Sequence, residues 1–176
     1  DPEQKVVGSR PEMDGLTVMR MGSEEQPVLQ KKGDNLRIDW GYLYTAAPSE
    51  DALQSCIGNG DTGRGSLLTN RTLPTPDDAG FPRRADEAFP AAMLLFDHGS
   101  IGRSPVSRYL MLAYDDLYSI ELFGEHLRPY WRRNGADAED LLQKAARDHA
   151  RLQRLCEQFD AEMMADLTAA GGRRYA

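Results

Sequence analysis

Apolar and polar residues alternate along residues 36–44. Leu36, Ile38, Trp40, Tyr42 and Tyr44 share one parity, and Arg37, Asp39, Gly41 and Leu43 share the other. Strand side chains change face at every residue, so this pattern predicts a strand with one aromatic face that something large must cover. Gly33-Asp34-Asn35 before it has turn chemistry, and Pro48 after it ends the pairing. Residues 15–21 alternate well enough for a second strand, with Leu16 and Val18 opposite Thr17 and Met19. Pro27-Val28-Leu29-Gln30 reads as a weaker edge strand because of its proline. Residues 52–57 fit a strand or a turn of helix, and their shortness between Pro48 and Gly58 favours the strand.

Residues 58–90 hold Pro74, Pro76, Pro82 and Pro90 with many glycines and show no sustained period, which predicts a long functional or mobile loop. Residues 91–96 form an apolar run of strand length, and residues 106–112 form another. The short connection between them suggests antiparallel neighbours. Residues 117–123 continue apolar past Asp115-Asp116, which reads as a bulge or tight turn. No helix-length crossover separates these strands, so a sandwich is expected rather than a parallel sheet.

From Asp137 onward the period changes. Leu142, Ala145, His149, Leu152, Cys156, Phe159 and Met163 recur at spacings of three and four. Asp137 can cap this helix, Asp140 suits its dipole, and Gly171-Gly172 ends it. The expected fold is mainly β, an antiparallel β-sandwich followed by a long C-terminal α-helix, α+β overall. Residues 1–123 form the sandwich with its 58–90 loop, and residues 124–176 form a helical linker. So long a stripe exceeds what the sandwich can cover. It is expected to dock onto protein beyond this chain, or to dimerise the isolated fragment.

Composition changes this picture little. Hydrophobic residues at 40% and charged residues at 28% are ordinary for a globular protein. A net charge of -7 argues against nucleic acid, which needs a clustered positive field. No apolar run approaches the roughly 18 residues of a membrane span. Cys56 and Cys156 make neither a disulfide framework nor a zinc set and read as two separate thiols, with a single bridge between them left open by their spacing. The chain does not start with Met and reads as a piece of something longer.

Candidate chemistry is sparse. Gly58-Asn59-Gly60-Asp61-Thr62-Gly63 has the letters of a dinucleotide fingerprint. The pattern predicts neither a buried strand before it nor a helix after it, so it reads as a turn-rich loop. Asp97-His98, Asp115-Asp116 and Glu125-His126 could supply an acid and base or a metal, yet none has a ligand spacing, and solvated turns are expected. His149 reads as a packed, hydrogen-bonded histidine. Leu127-Arg128-Pro129-Tyr130-Trp131-Arg132-Arg133 has the composition of an interface core or a sugar-stacking platform. The blander reading is a hinge with Tyr130 and Trp131 packed beneath it. Asp115, Asp116, Arg128, Tyr130, Trp131 and Arg132 are the candidate ligand-binding or domain-interface residues. No catalytic residue, metal set or cofactor is predicted.

Two blocks resemble a known family. Residues 32–44, Lys32-Gly33-Asp34-Asn35-Leu36-Arg37-Ile38-Asp39-Trp40-Gly41-Tyr42-Leu43-Tyr44, are similar to a stretch of the glutaminase A family. So are Ser107-Arg108-Tyr109-Leu110-Met111-Leu112-Ala113-Tyr114-Asp115-Asp116-Leu117-Tyr118-Ser119-Ile120 and the following Leu127 to Arg133. Phe81-Pro82-Arg83 and Phe89-Pro90 also look like that family. The resemblance implies a β-sandwich preceding a large helical toroid, similar in layout to six-hairpin glycosidases. It implies a secreted or periplasmic parent that hydrolyses glutamine to glutamate and ammonia, with the helical domain of the same chain as this region's partner. This region would not be catalytic alone. The alternative is a carbohydrate or glycopeptide binding module that stacks sugars on Trp40, Tyr42 or Tyr130 and Trp131.

Overall fold

The computed structural model describes residues 2–31 and 38–175. The chain divides into two compact units, Asp1–Leu142 and Gln143–Ala176. The first is built on antiparallel sheets. β1 (Lys5–Ser9), β2 (Leu16–Ser23), β3 (Tyr42–Pro48), β5 (Arg83–Arg84) and β7 (Met111–Asp115) form a five-stranded sheet in the order β5-β1-β2-β3-β7. β4 (Ala52–Asn59) pairs with β6 (Pro90–Phe96), and β8 (Ile120–Leu122) pairs with β9 (Glu125–Leu127). The mainly β sandwich followed by a long C-terminal helix is therefore what the chain adopts.

The register assigns the faces of the large sheet. Tyr42 lies opposite Gly22 and Asp115, and Tyr44 lies opposite Arg20 and Ala113, so Tyr42, Tyr44, Arg20 and Asp115 share one face. Leu43, Met21 and Tyr114 share the other. The β4–β6 pair covers part of this second face. It packs so closely at β1 that a Cβ on Gly8 would sit 2.7 Å from Ile57 Cγ2. Both faces are covered at β2, where neighbouring Val18 and Met19 are both buried. Leu16, Tyr44, Ala46, Ala47, Cys56 and Ile57 complete this core.

Several expectations shift. The strand predicted at 36–44 begins only at Tyr42 and runs on through Thr45-Ala46-Ala47 to Pro48. Gly41 breaks the extended chain with φ +95°, and a Cβ there would lie 2.4 Å from the Asp115 carbonyl. The predicted Gly33-Asp34-Asn35 turn and the first residues of that strand lie outside the described residues. Pro27 to Gln30 is a turn with Leu29 at φ +54°, not an edge strand.

The predicted 58–90 loop contains β5 and an eleven-residue helix, α1 (Gly60–Asn70). Asn59 caps α1 by accepting from the N–H groups of Asp61 and Thr62. Gly60 and Gly63 let it approach β6, since a Cβ would lie 2.5 Å from the Phe89 ring and 2.1 Å from Met93 Sδ. The predicted pairing of 91–96 with 106–112 is absent. β6 pairs with β4 across α1, and the following strand starts at Met111 and pairs with β3.

The C-terminal helix is as predicted, α2 (Ala138–Gly171). Asp137 Oδ1 accepts from the N–H groups of Glu139 and Asp140, while Asp140 Oδ2 accepts from the Asp137 N–H, a reciprocal capping box. Gly172 ends it with φ +78°. In the second unit Leu152, Leu155, Phe159, Met163 and Met164 of α2 are 42–63% exposed.

Candidate functional site

Of the six residues that the sequence marks, two form a buried clasp. β7 ends at Asp115, which is 2% exposed. Arg132 comes from the 3-10 turn at Tyr130–Gly135 that precedes α2. Its Nε donates to Asp115 Oδ1 at 2.9 Å, and a terminal guanidinium nitrogen donates to Oδ2. The Leu117 N–H donates to Oδ1 as well, at 3.1 Å. This is bidentate, charge-assisted geometry, in which a planar guanidinium matches a carboxylate. The hydrogen bond to Asp115 holds the Arg132 guanidinium above its ordinary range. Asp115 is thus not the solvated turn residue expected.

The clasp lies on the tyrosine face of the large sheet. With Arg20, Tyr42, Tyr44 and the first turn of α2 it lines a polar recess of about 210 Å³. Burial pushes the Tyr44 phenol up against the opposing effect of Arg20. Ala138 and Leu142, at the start of α2, are buried within this unit. Of the expected aromatic face, Tyr42 and Tyr44 border this recess with Arg132 and the first turn of α2, whereas Ile38 and Trp40 line a cleft on the opposite side of the sheet.

The other marked residues do not converge on one ligand. The Asp116 carbonyl accepts from the Trp40 indole N–H at 2.6 Å. Arg128 lies 5.1 Å from the Tyr118 ring centre. Tyr130 is 79% exposed rather than packed under a hinge, and the Arg133 guanidinium lies 3.8 Å over its ring. Trp131 is half-buried, with the Arg132 guanidinium 5.1 Å away. Asp97 caps the Gly99 N–H at 2.7 Å, and His126 stands 3.9 Å from Glu121. No group of three or more His, Cys, Asp or Glu among the described residues could hold a metal ion. Cys56 is buried and Cys156 exposed, and both are free. No helix among the described residues is long and apolar enough to cross a membrane.

The dinucleotide-like run does have a strand before it and a helix after it, contrary to expectation. The arrangement is still not a nucleotide cradle. β4 pairs antiparallel with β6 rather than opening a parallel crossover, and Asn59 Oδ1 already accepts from the first N–H groups of α1.

A larger cleft of about 560 Å³ opens on the opposite face of the sheet, lined by Val6, Leu43, Trp40, Tyr114, Phe89 and Asp39 among others. Its walls are held by hydrogen bonds. The Tyr114 hydroxyl donates to the Trp40 carbonyl, while Gln4 and Ser23 side chains donate to the Asp39 carbonyl. Burial raises the Tyr114 phenol, helped by the charges of Asp116, Asp39 and Asp115. Trp40, which the sequence offered as a sugar-stacking surface, lines this cleft but is 7% exposed and offers no open stacking surface. Asp39, Phe89 and Tyr114 were missed. The available signal was Asp39, a lone carboxylate inside an aromatic stretch.

Arg10 forms a further contact network. Its guanidinium donates to Asp77 Oδ1 at 2.7 Å and to Ser55 Oγ at 2.8 Å, and Asp77 accepts from the Ile57 N–H at 2.8 Å. This fastens the segment after α1 along β4. The Arg10 hydrogen bond holds the Asp77 carboxyl below its ordinary value.

No curated protein and no solved structure matches the chain. Over residues 1–166 the sequence matches the family described as a domain of unknown function, DUF5127, and the chain belongs to that family.

Proposed function

We propose that this chain is the non-catalytic β-sandwich region of a secreted or periplasmic glutaminase A-like hydrolase, supporting a helical toroid domain of the same parent. The parent would convert glutamine to glutamate and ammonia. The observation that carries the reading is the bare stripe of α2. Leu152, Leu155, Phe159, Met163 and Met164 stand about half exposed along one helix. At 1.5–3 kcal/mol for each fully buried side chain, covering what remains open would contribute roughly 4–8 kcal/mol gross, enough to hold a domain in place. The Asp115–Arg132 clasp supports the same reading, because it fixes the start of that helix to the sheet. The resemblance in residues 32–44 and 107–133 supplies the parent's chemistry.

The test is glutamine hydrolysis, measured as ammonia release by the isolated chain and by the full-length parent. The reading expects turnover from the parent alone, and turnover by the isolated chain at the parent's rate would overturn it. A carbohydrate-binding module is the less favoured reading, because Trp40 is buried and Arg133 covers one face of Tyr130.

A further inference from the structure

The two edges of the β4–β6 sheet are treated differently. In an antiparallel pair, residues that bond across the pair alternate with residues whose N–H and C=O point away from it. The Ile57 N–H donates to Asp77 Oδ1 at 2.8 Å, and its carbonyl accepts from the Asp78 N–H at 2.9 Å. Ile57 therefore points away from β6, and the segment at Asp77-Asp78, held by Arg10, closes the outer edge of β4. Ala92 lies opposite Ile57, so its own N–H and C=O point away from β4. Leu94, two residues on, does the same. Among the described residues, β6 pairs with β4 alone, so this outward row meets no strand.

The surroundings of this edge are apolar on both sides. Toward the large sheet lies the 560 Å³ cleft with Leu43 and Tyr114, and toward α1 lies a second cleft of about 380 Å³ with Leu67 and Leu73. Phe89, 57% exposed at the entry to β6, borders both with Ala91 and Ala92. Every residue of β6 is half-buried, so the strand is open along its whole length. Folded chains blunt such an edge with a charge, a proline or a bulge. From Ala91 to Phe96 there is no charge and no proline, and the one register shift of the pair falls on β4, between Ala52 and Gln54. A strand that fits here must be uncharged and apolar on both faces. β6 itself, Pro90-Ala91-Ala92-Met93-Leu94-Leu95-Phe96, is such a strand.

We infer that β6 pairs antiparallel with β6 of a second copy of this chain across a two-fold axis, joining two β4–β6 pairs into one continuous sheet. The outward residues Ala92 and Leu94 are spaced evenly about Met93, which makes the edge complementary to itself, as a two-fold contact requires. Ala92 of one copy lies opposite Leu94 of the other, and each such pair exchanges both main-chain hydrogen bonds. Met93 faces its own counterpart on the axis. This contact is separate from the stripe of α2 and does not depend on the docking role proposed for it.

The test is sedimentation of the chain over a concentration series, together with residue-resolved amide exchange. A monomer–dimer equilibrium is expected. Ala92→Pro deletes an outward N–H that takes no part in the ladder with β4, and should weaken the dimer at least about tenfold. Phe159→Lys, on the exposed stripe of α2, should leave it unchanged. In the unaltered chain the Ala92 and Leu94 amides should exchange more slowly as concentration rises, while the Met93 amide, directed at β4, is protected throughout. A clean monomer at millimolar concentration overturns the inference, as does a dimer that Ala92→Pro leaves intact, whatever Phe159→Lys does. So does exchange at Ala92 and Leu94 that is independent of concentration, or that slows only in the full-length parent, which would assign the edge to the parent's own chain. If Ala92→Pro fails to fold, the exchange pattern of the unaltered chain decides.

Discussion

Removing the guanidinium of Arg132 is the perturbation that most directly probes how the sheet holds the start of α2. In Arg132→Ala, the Asp115 carboxylate loses both guanidinium contacts and keeps only the Leu117 N–H at 3.1 Å. Its side chain is 3% exposed, so the carboxylate sits in a largely desolvated site. An exposed pair would contribute about 0.2–1 kcal/mol. A buried carboxylate left without its partner costs about 3–5 kcal/mol. Against a total stability of about 5–15 kcal/mol this is a large fraction. For a unit of this size it lowers the melting temperature by about 6–20 °C.

Urea unfolding followed by tryptophan fluorescence measures the loss, and amide exchange of Ala138 to Leu142 shows whether it is felt at the helix start. The pair Asp115→Leu with Arg132→Met removes both charges together and should cost much less than Arg132→Ala alone, because no buried ion is left unpaired. A loss below about 1 kcal/mol in Arg132→Ala would refute the reasoning, since only an exposed pair costs that little. So would a double replacement as damaging as the single one.

Three further outcomes follow from geometry elsewhere. Gly41→Ala should destabilise by about 2–4 kcal/mol in the same urea assay, because φ is +95° and the new Cβ would meet the Asp115 carbonyl at 2.4 Å. Phe123, at φ +52° and fully exposed at the tip of the β8–β9 hairpin, pairs with Gly124 at φ +84° in the positions that favour Asn-Gly. Phe123→Asn should therefore raise stability by about 0.5–1 kcal/mol in thermal unfolding. Arg10 holds the Asp77 carboxyl below its ordinary value of 3.8, so its contribution is present above that value and is lost as pH falls through the folded-state value. Asp77→Asn should be less stable than the unaltered chain at pH 7, and the gap should narrow in acid below about pH 4. A gap independent of pH would contradict that linkage.

Much of this fold was legible where the signal is local. β2, β4 and β6 announce themselves by short apolar or alternating runs between breakers. Both ends of α2 carry their own chemistry in Asp137, Asp140 and Gly172. The errors arise where a distant contact decides. The alternation through Trp40 extends past the true start of β3, because a backbone crossing near Asp115 forces Gly41 out of the extended region. The end of β3 is hidden in Ala46-Ala47, whose small side chains give little pattern yet are fully buried. α1 carries Gly60, Gly63 and Gly65, poor helix formers, and persists through the Asn59 cap and close packing on Phe89 and Met93. Likewise, Asp115 and Arg132 were each singled out, but their pairing across seventeen residues shows only once β7 and the 3-10 turn are placed together. The cleft was less legible still. Asp39 was assigned to the face opposite the aromatics of a strand, whereas the strand begins only at Tyr42.

We propose that the rest of a larger chain covers the apolar stripe of α2. Amide hydrogen exchange across Leu152 to Met164 tests it, with the isolated chain at low concentration set beside the full-length parent. The account predicts fast exchange in the isolated chain and strong added protection in the parent, centred on Leu152, Phe159 and Met163. Equal exchange in the two proteins would contradict it.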